Sequence, residues 1–421
     1  MSKRKIFNQE RDDFYKQYPD FYANYDEDTY QYGLYQTFKV KESLKKELET
    51  ATNSIWRIFM KLKEYLKQLH PDELHALNIS PQLAEYIQCD YLTHHSFISR
   101  FDFIVDLKTN DVKIIELNNE TPYYLVEAYQ MNNAYLLHKE QVRQGEGYLM
   151  NLQTAYAQAL ADSAAFLNRQ ELRVAILGCD KDEDLEEYNL MTFYQNLFSS
   201  IHSAEFIHYE DLRIVKDEGL YNGRGERVDV LFHPSYPIEF LQHDTSEKNE
   251  PIGLWMLDLV KQGKLSLINP PACHFLQNKT LLALLWTLHQ VNFKLFTEEE
   301  HAAIEKYMLP TYTNSFEFEM KEQPYVEKPI NGRRGKSVTI YDDGQHAKHL
   351  PRDNGLSHEE MVYQKYMKMP TVEVIMDGRE HEKKLQISSF VVGGKFNGMV
   401  TIVGDAIIDS ECHWLPHMIV Q

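Results

Sequence analysis

The sequence has few cysteines, and none of them has a nearby partner. Only four of its 421 residues are Cys, they lie far apart, and none forms a CxxC pair. This spacing argues against a disulfide framework and a cysteine zinc site, and it favours a reducing compartment, the cytoplasm. No stretch approaches the run of about 18 apolar residues that a membrane span needs. The basic start also lacks the apolar segment of a signal peptide, so we expect no membrane association.

Positive charge is also scarce. The 44 Lys and Arg residues stand against 63 Asp and Glu residues, which gives a formal net charge of -19. That balance argues against broad nucleic-acid binding, which needs a basic footprint. It is compatible with a cationic substrate, although solubility is the commoner cause of an acidic surface. The sequence also has no GxGxxG, HExxH or Walker A motif.

The pattern of apolar residues predicts a mixed α+β and α/β protein. A hydrophobic content of 43% supports packed cores, and about 150 residues per domain suggests two or three domains. We divide the chain into a helical N-terminal region at 1–95, a hairpin and helix at 96–168, an α/β domain at 169–270 and an α+β domain at 271–421. Helices are predicted at 43–69, 136–167, 190–200, 279–288 and 358–368, and strands at 173–178, 204–209, 228–232, 325–328, 337–341, 385–392 and 399–403.

A first group of polar residues lies in the hairpin predicted at 97–118. Residues two apart in a strand share a face, so Arg100 and Asp102 project together, as do Glu116 and Asn118. If the hairpin closes around Thr109, Asp102 lies opposite Glu116 and Arg100 opposite Asn118. Two carboxylates and an amide oxygen suit Mg²⁺, and the arginine suits a phosphate. An exposed strand with cross-strand ion pairs is the alternative, and a one-residue slip would separate the pairs.

A second group follows the strand at 325–328. Lys328 is followed by a loop that contains Asn331, Gly332 and Gly335. Backbone amides of such a loop can cradle phosphates, and the lysine can neutralise their charge. An ordinary hairpin with a basic tip is the alternative.

Single polar residues add weaker signals. Lys279 precedes an apolar helix and could reach a nucleotide, or it is simply solvated. Gln364, between Tyr363 and Tyr366, could line an adenine slot, although surface packing explains it equally well. Several carboxylates could bind an ammonium group, but a solvated acidic face is the simpler interpretation for most of them. These are Glu120, Glu127, Asp180, Asp182, Glu183, Asp184 and Glu239.

These motifs, in this order, resemble the glutathionylspermidine synthase family, whose synthetase part is an ATP-grasp ligase. The resemblance runs from about residue 90 to the C-terminus, and each motif is weak alone but specific in series. The matching stretches are FISRFDFIVD, VKIIELNNETP, VAILGCDKDEDLEEYN, YNGRGERVDVLFHPSYPIEF, INPPACHFLQNKTLLALLW, YVEKPINGRRGKSVTI, VYQKYMKMP and FVVGGKFNGM.

The resemblance implies an ATP-grasp fold with a pre-ATP-grasp α/β domain. It implies a cytoplasmic, ATP- and Mg²⁺-dependent ligase that activates a carboxylate as an acyl phosphate, which an amine then attacks. The partners would be small-molecule carboxylates and amines, and a homodimer is an expectation at the family level only. The implied roles are Mg²⁺ binding by Asp102, Glu116 and Asn118, catalysis by Arg100 and Lys328, nucleotide binding by Lys279, Lys328, Asn331, Gly332, Gly335 and Gln364, and substrate contacts by Glu120, Thr121 and Glu239.

The sequence also departs from the family pattern. Glu120 replaces the Asp of Asp-Thr-Pro, and Arg334 replaces the Glu of a Gly-Arg-Glu-Gly loop. An arginine that faces the terminal phosphate in the family falls at or near Ile402, and a family asparagine falls near Ser410. Arg334 is a candidate substitute for that arginine. A ligase is therefore the leading hypothesis, a non-catalytic ATP-binding protein the second, and a purely structural protein the third.

Overall fold

The computed structural model describes residues 3–25, 30–142, 144–342, 345–349 and 360–421. The α-helices of these residues are α1 (Lys3–Tyr15), α2 (Glu42–Leu66), α3 (Pro71–Ala76), α4 (Pro81–Ala84), α5 (Asn132–His138), α6 (Glu146–Leu167), α7 (Leu185–Ser199), α8 (Ile238–Leu241), α9 (Ile252–Lys261), α10 (Ala272–Leu276), α11 (Thr280–Gln290), α12 (Glu298–Tyr307) and α13 (Phe316–Glu319). Short 3₁₀ helices occupy Glu85–Gln88 and Tyr209–Asp211, and a π-helix occupies Val126–Met131.

The strands of the described residues form six sheets. They are β1 (Asn24–Tyr25), β2 (Tyr30–Gln31), β3 (Phe38–Lys41), β4 (Ile98–Val105), β5 (Val112–Asn118), β6 (Val174–Gly178), β7 (Glu205–His208), β8 (Arg213–Val215), β9 (Gly219–Tyr221), β10 (Arg227–Val228), β11 (Val230–Phe232), β12 (Ser266–Ile268), β13 (Thr311–Tyr312), β14 (Tyr325–Pro329), β15 (Thr339–Asp342), β16 (Gln345–His349), β17 (Met361–Lys365), β18 (Thr371–Met376), β19 (Arg379–Val392), β20 (Lys395–Gly404), β21 (His413–Trp414) and β22 (His417–Val420).

The central sheet is antiparallel and joins distant parts of the chain. Its order is β21-β20-β19-β4-β5, with β18 paired to β19. The long helix α2 packs on one face, where the ring centroids of Phe59 and Phe101 lie 5.8 Å apart. Because neighbouring residues of a strand alternate between faces, Arg100 and Asp102 project from the other face. That face carries the candidate site.

A second sheet is fully parallel and confirms the predicted α/β pattern. Its order is β12-β11-β6-β7, and the strands β6, β11 and β12 are mostly apolar and buried. Asn269, directly after β12, attaches this sheet to the hairpin. Its side-chain amide donates to the carbonyls of Ile98 and Asn119, and its oxygen accepts from the N–H of Phe97. The parallel sheet is thereby fixed beside the start of β4.

A third sheet of order β13-β17-β14-β15-β16 lies across the candidate site from the central sheet. The predicted helix at 358–368 is wrong where the structure describes it, because Met361–Lys365 is a strand paired with both β13 and β14. The strand alternates, with Val362 and Gln364 buried and Tyr363 and Lys365 more exposed. That period of two is a strand pattern. Residues 358–359 of the predicted helix lie outside the described residues.

One further helix prediction needs correction. The helix predicted at 136–167 is divided into α5 and α6. Gly145, immediately before α6, has a φ of 69°. This left-handed conformation suits glycine and cannot continue a right-handed helix. The helices predicted at 43–69, 190–200 and 279–288 are confirmed as α2, α7 and α11, with shifted ends.

Two expectations from composition can also be compared with the structure. All four cysteines are buried and unpaired, as their spacing in the sequence predicts. Within the described part of the chain, no helix combines the length and apolarity that crossing a membrane requires.

Candidate active site

The hairpin has the register that the sequence predicts. Asp102 pairs with Glu116 and Arg100 with Asn118, and the register shifts by one residue after Asp102. Directly opposite residues share a face, so the four polar side chains lie together. The shift occurs beyond them, toward the turn, and therefore does not separate the pairs.

Arg100 and Asp102 form a buried ion pair with two parallel hydrogen bonds. Arg100 Nε donates to Asp102 Oδ1 at 2.7 Å, and its Nη2 donates to Oδ2 at 2.9 Å. The guanidinium also donates to the carbonyl of Tyr123 and lies 4.7 Å from the ring centroid of Tyr124. This geometry fixes the direction of the carboxylate, because a two-pronged pair allows little rotation.

Cations surround the second carboxylate. Lys279, at the start of α11, places its Nζ 3.3 Å from Glu116 Oε2 and donates to the carbonyl of Gly332. Burial alone would raise the pKa of Glu116, but Lys279, Lys328 and Arg100 lower it to about 2. Glu116 is therefore ionised at neutral pH.

Lys328 bridges the central sheet and the third sheet. Its Nζ, on β14, donates to the carbonyl of Ile115 on β5 at 2.8 Å and to Gln364 Oε1 at 2.9 Å. The amide of Gln364 in turn donates to Thr311. Burial lowers the pKa of Lys328 to about 7, although Glu116 acts in the opposite direction. The lysine is thus held in place by hydrogen bonds, and with this pKa it is only partly protonated at neutral pH.

A pocket opens between the central sheet and the third sheet. One edge is polar and contains Glu116, Lys279, Lys328 and Gln364. The walls are largely apolar, as expected for a slot that holds a flat heterocycle. They include Ile115, Val326, Ile340, Met367, Met369 and Ile407.

The glycine-rich loop closes one side of this pocket, and we call residues 331–336 the phosphate loop, after the role that the resemblance implies for it. Asn331 follows β14 in a turn, and Gly332 and Gly335 line the pocket. A Cβ at Gly332 would approach the ring of Pro329 to 3.0 Å, and Gly335 has a φ of 69°. Both positions therefore favour glycine, for close approach in one case and backbone conformation in the other.

The three residues expected to contact substrate lie beside the loop and already have protein partners. Glu120 is buried, accepts from the N–H of Ile238, and lies 3.0 Å from His274 Nδ1. Thr121 Oγ1 accepts from Arg333, and Glu239 lies 3.6 Å from the same guanidinium. Their role as substrate contacts stays a prediction.

Sequence reasoning missed two polar residues of β19. Ser388 pairs with Asp102 across the sheet, and Gln386 lines the pocket. The alternation in Leu385–Ser388 was the available signal, because Gln386 and Ser388 share one face while Leu385 and Ile387 share the other. Ile402 pairs with Gln386 and is fully buried. The face that carries the site is therefore apolar at the position where the resemblance places an arginine.

The donor set fits a hard cation and a nucleotide. Asn118 Nδ2 lies 3.1 Å from Asp102 Oδ2 and 3.4 Å from Glu116 Oε1, so the three side chains converge. Carboxylate oxygens with an amide suit Mg²⁺, which usually also keeps waters and phosphate oxygens. The adjacent lysines and the apolar slot suit the phosphates and base of a nucleotide.

These features define a mixed α/β protein with a polar site between two antiparallel sheets. Residues 4–420 match the family model described as glutathionylspermidine synthase preATP-grasp. The chain belongs to that family, which supports a ligase.

Two further comparisons agree with this assignment. The chain is 21% identical over 382 residues to a Haemophilus influenzae protein provisionally named an acid–amine ligase, covering 89% of this chain and 87% of that protein. The structure is similar to that of a glutathione synthetase-like effector from Globodera pallida in its apo form. The TM-score is 0.63 and the identity 11%, over 100% of this chain and 98% of that one. The second likeness concerns the fold alone.

Proposed function

We propose that the protein is an ATP- and Mg²⁺-dependent carboxylate–amine ligase. ATP would supply the phosphoryl group that converts the substrate carboxylate into an acyl phosphate. The amine nitrogen then attacks the acyl carbon, phosphate leaves, and the amine loses a proton. The substrates are small molecules, a carboxylate and an amine.

The proposal assigns a separate task to each part of the site. Asp102, Glu116 and Asn118 hold the metal, and Arg100 contacts the transferring phosphate. Lys279 and Lys328 neutralise the remaining phosphate charge, with Gln364 beside the adenine. Phosphoryl transfer depends mainly on such positioning and charge, so this set can carry the reaction. The phosphate loop excludes water from the reactive intermediate.

One observation carries the proposal. Lys328 reaches from β14 to the backbone of β5 beside Glu116, so the two proposed phosphate-binding lysines and Glu116 of the proposed metal site line one pocket although they lie far apart in the sequence. The ion pair of Lys279 with Glu116 adds a second link. A solvated hairpin with surface ion pairs would not bury these groups.

The first test is unfolding of the protein with and without Mg-ATP. A ligand that binds only the native state stabilises it by about 2.7 kcal/mol at a hundredfold excess over its Kd. We expect a stabilisation of this size for wild type, dependent on magnesium, and its loss in Lys328→Ala. The free energy of unfolding in urea gives the measurement.

The matched control is Lys321→Ala, which removes an exposed lysine that pairs with Glu317 on α13. This variant should retain the full Mg-ATP effect. An equal stabilisation of Lys328→Ala and wild type would contradict the proposed nucleotide site.

A non-catalytic ATP-binding protein is the second candidate. The buried apolar side chain of Ile402 on the site face favours the second candidate, because this position supplies no guanidinium to the site. Release of ADP with pooled carboxylates and amines separates the two candidates. Amine-dependent release supports the ligase, whereas Mg-ATP binding without turnover supports the second candidate.

A further inference from the structure

Two consecutive arginines connect the phosphate loop to carboxylates of the predicted α/β domain. Arg334 Nη2 lies 3.1 Å from Glu186 Oε2, on α7, and Arg333 Nε lies 3.6 Å from Glu239 Oε2, on α8. The two carboxylates belong to different helices of segment 169–270. The loop therefore has two separate anchors outside its own sheet.

We propose that Glu186 and Glu239 are positioning residues that hold the phosphate loop over the pocket. They act through Arg334 and Arg333, respectively. This inference rests on the proposed function in one respect only, namely that the loop serves the phosphates.

Aromatic rings support both arginines. The guanidinium carbon of Arg334 lies 5.7 Å from the ring centroid of Tyr123, and that of Arg333 lies 5.7 Å from the ring centroid of Phe240. Arg333 also donates to Thr121. A guanidinium that contacts both a carboxylate and an aromatic face has less conformational freedom than one in a simple surface ion pair. Each anchor therefore restricts the loop.

The surroundings of Glu186 make a cationic partner favourable for its ionised form. Its side chain is only 18% exposed. Burial raises the pKa of Glu186 to about 7, and the nearby Glu127 and Asp184 carboxylates act in the same direction, whereas Arg334 opposes them. Arg334 thus favours the ionised form of Glu186 in this environment, and its withdrawal would raise the pKa of Glu186 further.

The backbone of the loop also needs external support. Arg334 and Ser337 have φ values of 51° and 58°, which are uncommon for residues with side chains. The amides of Lys336 and Val338 donate to the carbonyls of Arg333 and Gly335 within the loop. On the opposite side, Lys279 donates to the carbonyl of Gly332. Contacts on both sides hold a backbone conformation that the sequence alone does not favour.

Hydrogen exchange without nucleotide tests this inference. In a Glu186→Gln/Glu239→Gln variant, we expect the amides of residues 330–338 to exchange about fivefold faster than in wild type, because local opening becomes easier. Peptides from β4 and β19 should exchange at the wild-type rate. The matched control is Glu317→Gln, which removes a different exposed ion pair and should leave exchange of residues 330–338 unchanged.

Exchanging the charges of Glu186 and Arg334 adds a measurement that should not recover if Glu186 acts only through packing. Glu186→Arg should accelerate exchange in the loop, and Glu186→Arg/Arg334→Glu should return it toward the wild-type rate. If the glutamine variants lose their fold, Arg333→Gln/Arg334→Gln gives the same test from the loop side. Unchanged loop exchange in a folded variant would overturn the inference. The experiment contains no nucleotide, so its failure is distinct from a failure to bind Mg-ATP.

Discussion

Asp102→Ala should abolish the stabilisation by Mg-ATP and also destabilise the nucleotide-free protein by about 3–5 kcal/mol. Both losses have the same origin. The carboxylate is the central oxygen donor of the proposed metal site, and it is also the partner of the buried Arg100 guanidinium. Without it, Arg100 retains the ring of Tyr124 and the carbonyl of Tyr123 but loses its hydrogen-bonded counter-ion. Urea unfolding with and without Mg-ATP measures both effects.

A second variant separates the two effects of Asp102→Ala. Arg100→Gln/Asp102→Asn removes both charges, so much of the stability in the absence of nucleotide should return while the Mg-ATP effect stays absent. Asp106→Ala is the control, since Asp106 only accepts from amides of the hairpin turn. A full Mg-ATP effect in Asp102→Ala would show that the metal is bound elsewhere.

The local part of this site was predictable because strand alternation is a short-range rule. Arg100 and Asp102 are two residues apart, and a turn at Thr109 is enough to bring Glu116 and Asn118 opposite them. Nothing beyond the hairpin needs to be known. The fold class was predictable for a related reason, because short apolar strands alternating with helices at 170–270 indicate a parallel sheet.

The assembly of the site was not predictable from local pattern. Asp102 pairs with Ser388 across the central sheet, and Lys328 bonds to the carbonyl of Ile115. Such pairings depend on which strand edges meet after the chain has folded. The alternating pattern of one strand does not indicate which other strand will pair with it. Ser388 was therefore missed, whereas Lys328 was proposed because of the glycines that follow it.

The errors in secondary structure have a similar cause. At 361–365, the helix prediction did not take account of the alternation of Val362 and Gln364. Pairing with β13 on one side and β14 on the other makes this segment a strand. At 136–167, a single glycine with left-handed backbone was outweighed in the prediction by the apolar pattern around it. Tertiary pairing and one backbone conformation overrode local preference in these two cases.

Acid should weaken the pairing of strand β22 with strand β3, which we call the seam, by protonating His417. This residue begins β22, which pairs in parallel with β3 from the N-terminal region. Its imidazole is 6% exposed, and burial lowers its pKa to about 4. An unfolded histidine has a pKa of about 6.5, so between pH 4 and 6.5 the unfolded state binds more protons. Stability from His417 is therefore complete above pH 6.5 and falls as pH decreases, by about 2 kcal/mol at pH 5.

His417→Gln should remove this pH dependence because glutamine carries no charge at any pH. The backbone of residue 417 can still exchange hydrogen bonds with the side chain of Asn132, so the strand keeps its anchor. Urea unfolding at pH 7, 6 and 5 gives the free energies. Wild type should lose about 2 kcal/mol more than the variant over this range, whereas His70→Gln, at an exposed histidine, should follow wild type. Parallel pH profiles for wild type and His417→Gln would mean that the imidazole is hydrated or rearranges on protonation, and that the seam does not sense acid through this residue.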